Sequence, residues 1–414
     1  MEQICSTTGA VDRKCAVYLL DIGKEQYGDA VLCAFDNTTV LIDGAHLSSK
    51  DHIKAQLSQL FGGNNPPHQL SLLIVTHAHK DHIGCLPELV DEDFILPKWA
   101  LVADPELGWG GSKALASLRG LPHNVQRLVA LLREEPLVDP TDSEIEDLER
   151  STAQLRERYT QMIDRLRERG CTVVRYGKDD TKALVAAFSS IGMSIPGPSQ
   201  EQLQICAELI AKATEALAGL ASKALDNEAK SLEKSAFNVA RVYKDVVTHT
   251  WQHGDDSLLA EAARNNAAVN DQSIVSCFHV GTSSFLFSGD MQWSLPGGSR
   301  ELHIEIEKLL DKLTGQDRCD FFKLAHHGSN NGFSARVWER IKRPLAMGIC
   351  TGADSKGHPN PATLDELEEI LQNKNKEVRW ARTDHNGRVT LVFDGKRPTI
   401  ELSRGEINDP SPNK

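Results

Sequence analysis

A dense group of metal-ligating side chains follows an apolar run in the first quarter of the chain. The segment THAHKDHIG, residues 76–84, comes at the end of SLLIVT, a run typical of a buried β-strand. In an extended chain, side chains two positions apart lie on one side, so His77, His79 and Asp81 can converge. His82 points elsewhere and can reach a second ion. Because zinc and manganese accept imidazole and carboxylate together, the spacing predicts a metal centre, catalytic if positions stay open for water.

Further motifs accompany this segment in a fixed order along the chain. They are DIGKEQYGDA at 21–30, VLIDGA at 40–45, FLFSGD at 285–290, KLAHHGS at 323–329, GHP at 357–359 and RTDHNG at 382–387. With THAHKDHIG, the series resembles the metallo-β-lactamase fold superfamily, and within it the hydrolase domain of ComEC-like competence (DNA-uptake) proteins. The resemblance covers the core and leaves out the middle third. It implies an α+β fold, an αββα metallo-β-lactamase-type sandwich with helical insertions.

The resemblance also implies how two divalent ions, zinc or manganese, would be held. Asp290 would be the bridging carboxylate, which screens the repulsion between two cations and fixes their spacing. One of the adjacent residues His326 and His327 would join Asp81 and His82 around the second ion. We expect His327 to be the ligand and His326 to contact the scissile phosphate or the leaving oxygen, with the reverse assignment left open.

Three more residues belong near this centre. Asp43 follows a strand and, by the resemblance, orients a histidine or the loop without binding metal; a simple turn aspartate is the alternative. Ser329 could donate a hydrogen bond to a bound oxyanion. His358 matches another motif of the family, although it could equally be a loop histidine. The candidate catalytic residues are therefore Asp81, His326 and His358.

One position departs from the pattern of the superfamily. Most of its enzymes have an additional histidine shortly before the strand that leads to the bridging aspartate, whereas this chain reads AAVNDQSIV with Asn270 at that place. The first metal would then keep His77, His79, Asp290 and solvent. A more oxygen-rich shell shifts the expected ion towards manganese or a loosely held zinc.

Charge and cysteine usage predict a cytoplasmic protein without membrane association. The chain has 414 residues and a net charge of −12, from 46 Lys and Arg against 58 Asp and Glu. This charge argues against indiscriminate binding to polyanions, so a nuclease would need a locally basic approach. Nine scattered cysteines without a CxxC pair predict free thiols in a reducing compartment. No apolar run reaches the roughly 18 residues that span a bilayer.

The chain divides into a core and two helical excursions. We expect the first half of the core at 1–110, a helical insertion at 111–170, core strands at 171–200, a second helical insertion at 201–262 and the second half of the core at 263–414. Short apolar runs alternate with turns up to residue 105 and again in the second half, which indicates strands. A length above about 250 residues suits a core with insertions.

Heptad spacing predicts the helices of both insertions. From Ile145 to Leu166, residues that are apolar or acceptable on an apolar helix face recur at alternating spacings of three and four. Ser143 and Glu146 are the predicted capping box of this helix. A second such stretch spans 203–220, and the two could pack as a helical hairpin. These helices could simply cover a sheet face, or provide a homo-oligomer interface, a surface for a protein partner, or a wall of the substrate cleft.

The motifs together favour a metal-dependent phosphodiester hydrolase, with nucleic acid, DNA or RNA, as the leading substrate and hence nuclease activity. A metal-bound hydroxide would attack phosphorus, and a histidine or a bound water would protonate the leaving oxygen. The alternatives are a phosphodiesterase for small molecules or cyclic nucleotides, and a partner-regulated binding protein with a metal site. Two basic stretches, RVWERIKRP at 336–344 and KNKEVRWAR at 374–382, each contain a tryptophan. Trp338 and Trp380 could stack on bases or belong to the core.

Overall fold

Two β-sheets pack face to face in the computed structural model of the chain. The structure describes residues 15–231, 239–253, 257–315, 317–394 and 397–411. Between the sheets, the ring of Phe35 lies 5.3 Å from that of Phe278 and 4.7 Å from that of Phe285, measured between centroids. Such a layer of interdigitating aromatic side chains supplies much of the apolar area buried in the core.

Fourteen strands form the two sheets in the described part of the chain. They are β1 (Cys15–Leu19), β2 (Val31–Phe35), β3 (Thr38–Ile42), β4 (His68–Val75), β5 (Ile95–Ala103), β6 (Thr172–Tyr176), β7 (Ser194–Gly197), β8 (Val275–Val280), β9 (Ser283–Phe287), β10 (Phe321–Lys323), β11 (Ala346–Ile349), β12 (Arg379–Arg382), β13 (Val389–Val392) and β14 (Thr399–Leu402). The first sheet has the order β14-β13-β1-β2-β3-β4-β5-β6, and the second β12-β11-β10-β9-β8-β7. The strand–turn pattern predicted before residue 105 is confirmed for β1 to β5.

Helices flank the sheets and fill the insertions. They are α1 (Lys50–Leu60), α2 (Lys80–Ile83), α3 (Leu86–Asp91), α4 (Pro105–Gly108), α5 (Gly111–Leu118), α6 (His123–Leu132), α7 (Asp142–Thr152), α8 (Leu155–Glu168), α9 (Lys182–Ala187), α10 (Gln200–Ser231), α11 (Val239–His253), α12 (Ser257–Asn270), α13 (Arg300–Thr314), α14 (Ala335–Arg340), α15 (Pro361–Glu369) and α16 (Thr383–Asn386). The mixture of helices and facing sheets confirms the α+β prediction. None of these helices is both long and apolar enough to cross a membrane.

Both faces of the central strands are buried, which explains their continuous apolar runs. In β4, Leu72 and Ile74 belong to the layer between the sheets, whereas Leu73 and Val75 belong to the cluster that includes apolar residues of α1, α3 and α8. A parallel strand covered on both sides needs apolar residues at successive positions. The same arrangement puts the end of β4 deep inside the molecule, where Thr76 begins the histidine motif.

The prediction of strands throughout 171–200 is wrong in part. β6 joins the first sheet and β7 the second, but the run LVAAFSSIG between them contains helix α9. Leu184 and Phe188 are both buried and lie four positions apart, one turn of helix. The alanines between them favour that conformation over a strand.

The heptad stretch from 145 to 166 is two helices rather than one. α7 ends at Thr152, and Gln154 has a positive φ of 55° before α8 begins. The predicted capping box is also wrong: Thr141 and Glu144 form it, and Ser143 lies inside the first turn. This break divides the heptad stretch in two. Residues of α7 pack in an apolar cluster of insertion helices, whereas residues of α8 pack against the first sheet.

The two heptad stretches do not form the predicted hairpin. α8 packs against α3 and β6, whereas α10 packs against α12, α5 and α6. A separate apolar cluster is formed by residues of α6, α7, α10, α11 and α12, and it includes Tyr27 of the core. The insertion therefore rests on the loop between β1 and β2, beside the predicted metal motif. Parts of the predicted ranges 1–110, 201–262 and 263–414 lie outside the described residues.

Candidate metal centre

The histidine motif begins where β4 ends and turns into a helix within four residues. His79 has an extended backbone and precedes α2, whose first turn carries Asp81 and His82. The extended-chain argument is therefore wrong for Asp81, because the chain is already helical at Lys80. The turn of α2, not a strand alternation, brings Asp81 beside the histidines.

Six predicted ligands meet at one point. Asp81 Oδ2 lies 2.9 Å from His327 Nε2 and 3.3 Å from His82 Nε2, while Asp290 Oδ2 lies 3.1 Å from the same two nitrogens. His77 Nε2 lies 3.9 Å from Asp290 Oδ2. His79 completes the group, with Nδ1 3.2 Å from His77 Nε2. All six side chains are buried. The sequence thus contributes four imidazoles and two carboxylates from three distant segments.

An unpartnered carboxylate oxygen in this group fits a bound cation. Asp290 Oδ1 is buried and lacks a hydrogen-bond partner among the described residues. Leaving such an atom unpaired costs free energy unless another species occupies it. On the far side of the His77 ring, Nδ1 lies 3.1 Å from both Thr76 Oγ1 and Ser273 Oγ, which hold the ring with Nε2 towards the centre. The donor set and its orientation fit divalent metal.

Two further carboxylates orient the imidazoles from behind. Asp43 Oδ2 lies 2.8 Å from His82 Nδ1, and the same side chain accepts hydrogen bonds from the amide and hydroxyl of Thr76. Asp29 Oδ1 lies 3.1 Å from His327 Nδ1, and Lys323 forms a buried ion pair with Asp29. A carboxylate behind an imidazole fixes the tautomer that leaves Nε2 available to a metal. Asp29 was not singled out from the sequence.

Burial and charge separate the histidines into two kinds. Burial lowers the pKa of His79 to about 4 and the pKa of His77 well below its usual value, so both are neutral, as metal ligands must be. For His82 and His327, burial acts in the same direction, but Asp290 raises the pKa of both well above the usual value. A cation held by these two histidines would replace a proton.

The adjacent histidines point in different directions because of their backbone. His326 and His327 have positive φ values of 51° and 50°. This left-handed conformation is rare for residues with a Cβ and costs on the order of 1–3 kcal/mol each. It turns the ring of His327 towards Asp81 and the ring of His326 away, so the ring centroids lie 6.0 Å apart. The left-handed backbone therefore directs the side chains of two neighbouring residues into different environments.

His326 and His358 converge on a carboxylate that the sequence did not indicate. Glu135 follows α6 in the first insertion, and its two oxygens lie 3.1 Å from His326 Nε2 and 3.0 Å from His358 Nε2. Burial opposes the charged form of His326, but Glu135 raises its pKa to about 9. The segment LLREEP contains no metal-ligand spacing. Only two neighbouring carboxylates before Pro136, at the end of an apolar helix, mark it in the sequence.

The remaining predicted residues lie around His326. Asn270, the last residue of α12, has Nδ2 3.2 Å from His326 Nε2, so it borders the group of His326 and Glu135. The amide of Ser329 donates to the carbonyl of His326 and closes the turn, while the Ser329 side chain is buried.

The two basic stretches do not form a base-stacking surface. Trp338 and Trp380 are each 1% exposed, so neither ring can stack on a nucleotide. Arg336 and Arg340 form ion pairs with Glu307 of α13, which offsets their charge. These stretches stabilise the packing of helix α14 and strand β12.

Comparison with known families agrees with this geometry. Residues 24–164 match the model of the Metallo-beta-lactamase superfamily. The matched range includes the histidine motif, whereas Asp290 and His327 lie beyond it and are placed by the structure alone. Comparison with curated proteins gave no match. The matched range and the αββα arrangement together give a metallo-β-lactamase-type fold with a candidate metal site.

Proposed function

We propose that the protein is a metal-dependent phosphodiester hydrolase that acts as a nuclease on DNA or RNA. The observation that carries the proposal is the buried convergence of His77, His79, Asp81, His82, Asp290 and His327. The six ligands that this chain keeps support catalysis over a binding protein with a regulatory metal. The resemblance of HHGS and GHP to the nucleic-acid-handling branch supports the substrate class.

The residues would hold two divalent cations, with Asp290 beside the ligands of each. His77 and His79 would hold the first ion, and His82 and His327 would hold the second together with Asp81. When bound, a pair of divalent cations lowers the pKa of a water molecule and neutralises charge on a phosphate. Asp43 and Asp29 hold the imidazoles of His82 and His327 in fixed orientations, so these ligands need not reorganise during the reaction.

His326 and His358 occupy the side of the centre that faces the insertion. Glu135 holds both rings, and the ring of His327 lies 6.0 Å from His326 and 5.9 Å from His358. A phosphodiester held beside His327 would bring its scissile phosphate or leaving oxygen within reach of this pair. The ligands are buried beneath the insertion, so we propose that a single strand or a strand end enters, rather than an intact duplex.

A second candidate is hydrolysis of a small phosphodiester or a cyclic nucleotide. A cavity of about 510 Å³ lies between the β1–β2 loop and α7, with His46 and Lys80 in its wall. Lys24 and Lys356 line it as well. This volume falls within the range of about 300–1,000 Å³ typical of pockets for small molecules. Glu25, Glu144, Asp147 and Asp354 also line the cavity and offset the charge of its lysines. The cavity is the observation that favours this candidate.

The test presents both substrate classes to one preparation. Labelled single- and double-stranded DNA and RNA, cyclic nucleotides and a chromogenic diester are incubated with manganese, magnesium or zinc. The variants are His327→Ala and, as a matched control, His303→Ala, which removes an exposed histidine of α13. Cleavage of nucleic acid that His327→Ala abolishes and His303→Ala retains supports the nuclease. Cleavage of small substrates alone supports the second candidate, and turnover independent of His327 contradicts both.

A further inference from the structure

A second group of metal-ligating atoms lies beside the candidate centre and outside its ligand set. It consists of one carboxylate oxygen of Glu135 and one ring nitrogen each of His326 and His358, all within 4.8 Å of one another. The three residues come from the first insertion, the HHGS motif and the GHP motif. Two imidazoles and a carboxylate with open positions are a donor set that divalent transition metals accept.

We propose that Glu135, His326 and His358 form a further divalent cation site, separate from the pair held by Asp290. The spacing of the donors carries the proposal. Ligands about 2.1 Å from a tetrahedral zinc ion lie about 3.4 Å from one another. His326 Nε2 lies 3.1 Å from one carboxylate oxygen of Glu135, and His358 Nε2 lies 3.0 Å from the other. The two rings thus flank the carboxylate, and one donor atom from each of the three residues lies within 4.8 Å of the others, close enough to share one ion.

A second contact orients His326 as a ligand. Its Nδ1 lies 2.7 Å from Asn331 Oδ1, and because an amide oxygen only accepts, Nδ1 must carry the proton. When the ring is neutral, Nε2 presents its lone pair towards Glu135. This is the arrangement in which an outer hydrogen bond fixes the ring of a metal-ligating histidine.

Two neighbours border the site, one at the backbone of Glu135 and one beside His326. The hydroxyl of Tyr27 donates a 2.7 Å hydrogen bond to the carbonyl of Glu135, which ties the insertion to the β1–β2 loop. Asn270 is 1% exposed, and its Oδ1 lacks a hydrogen-bond partner among the described residues. Rotation of that amide would turn the orphaned oxygen towards His326 Nε2 and the proposed ion.

Exposure distinguishes the site from a closed structural one. The side chains of Glu135 and His358 are 21% and 12% exposed, whereas the ligands around Asp290 are almost fully buried. Water can therefore complete the coordination shell and exchange with a substrate oxygen. A cation held here would take over the contact with the leaving oxygen that His326 and His358 otherwise make.

The competing explanation is a proton in place of the ion. A doubly protonated His326 between Asn331 and Glu135 would satisfy the same contacts as an ion pair. The two explanations differ in what occupies the centre of the group, so direct location of metal distinguishes them.

The experiment locates metal in crystals of the full chain grown with zinc or manganese, using anomalous scattering. We expect a peak about 2.0–2.2 Å from donor atoms of Glu135, His326 and His358, in addition to peaks around Asp290. Glu135→Gln should abolish this peak and lower the metal content by one ion per chain. The matched control is Glu134→Gln, which changes the adjacent buried carboxylate bonded to the amide of Lys80 and should keep the peak.

The outcomes separate this proposal from the proposed function. No peak at Glu135, with peaks around Asp290, would overturn the further site and leave the metal pair intact. A peak at Glu135 with none around Asp290 would support the further site and contradict the dinuclear centre. Equal metal content in wild type and Glu135→Gln would also overturn the further site.

Discussion

Asp29 and His327 are joined by a 3.1 Å contact between a carboxylate oxygen and Nδ1, although they lie 298 positions apart in the chain. Lys323 pairs with the other oxygen of Asp29, and burial of the three groups isolates them from water. Burial raises the pKa of Asp29, but Lys323 and His327 lower it overall, so the carboxylate stays charged. A charged Asp29 holds Nε2 of His327 towards the candidate metals.

Asp29→Asn should therefore weaken metal binding and turnover about 10- to 100-fold, the usual effect of losing an outer-shell partner. The amide can donate to Nδ1 and so favours the wrong tautomer of His327. The control is Asp36→Asn, an exposed residue in the β2–β3 turn whose positive φ of 52° suits asparagine. Metal titration of both variants checks the prediction. Unchanged affinity in Asp29→Asn would show that the contact has no role in orienting the ligand.

Asp271 should make the protein less stable as pH rises. Burial raises its pKa well above the usual value, although the amide of Gln292 and the charge of His326 act the other way. In the unfolded chain the group ionises near pH 4, so above that pH the folded state binds more protons. Stability then falls by about 1.4 kcal/mol per pH unit until the folded pKa is reached.

Asp271→Asn removes this dependence, so it should match wild type at pH 4 and exceed its stability at pH 8. Urea unfolding at the two pH values measures the difference. The control is Asp226→Asn, an exposed position on α10 expected to change stability by less than about 0.5 kcal/mol. Parallel curves for wild type and Asp271→Asn would mean that the carboxyl is charged in the folded protein.

Leu217 is buried in the helical cluster of the insertion, which includes Tyr27 of the core. Leu217→Ala should cost about 2–5 kcal/mol of stability through a cavity. Because Tyr27 bonds the Glu135 carbonyl, the same change should loosen the contact between the insertion and the metal site. Leu295→Ala, at an exposed position, is the control. Thermal unfolding checks the first effect, and loss of activity no greater than the loss of folded protein would contradict the second.

Local motifs were predictable from the sequence, whereas long-range partners were not. His77 and His79 follow the end of a strand, and His82 lies in the short helix directly after them. Their convergence therefore follows from their spacing in the sequence. Asp29 and Glu135 lie in segments without ligand spacing. They reach their histidines, which lie 298 and 191 positions further along the chain, only because the sheets and the insertion fold together.

Errors in the fold prediction have local causes. Leu184 and Phe188 are compatible with a strand or a helix over so short a run, and packing selected α9. The heptad seam was continuous in sequence, but the positive φ of Gln154 divides it. The sequence was compatible with Trp338 and Trp380 on the surface or in the core, and their burial shows that both belong to the core.

The central claim is tested most directly by Asp290→Asn, which keeps the shape of this candidate ligand but removes its charge. Hydrolysis of a chromogenic phosphodiester is measured after chelation and again after adding manganese or zinc, with circular dichroism to follow the fold. We predict that wild type loses activity with chelator and regains it with metal, whereas Asp290→Asn stays folded and inactive throughout. Full activity of wild type in excess chelator, or of Asp290→Asn with metal, would contradict the account.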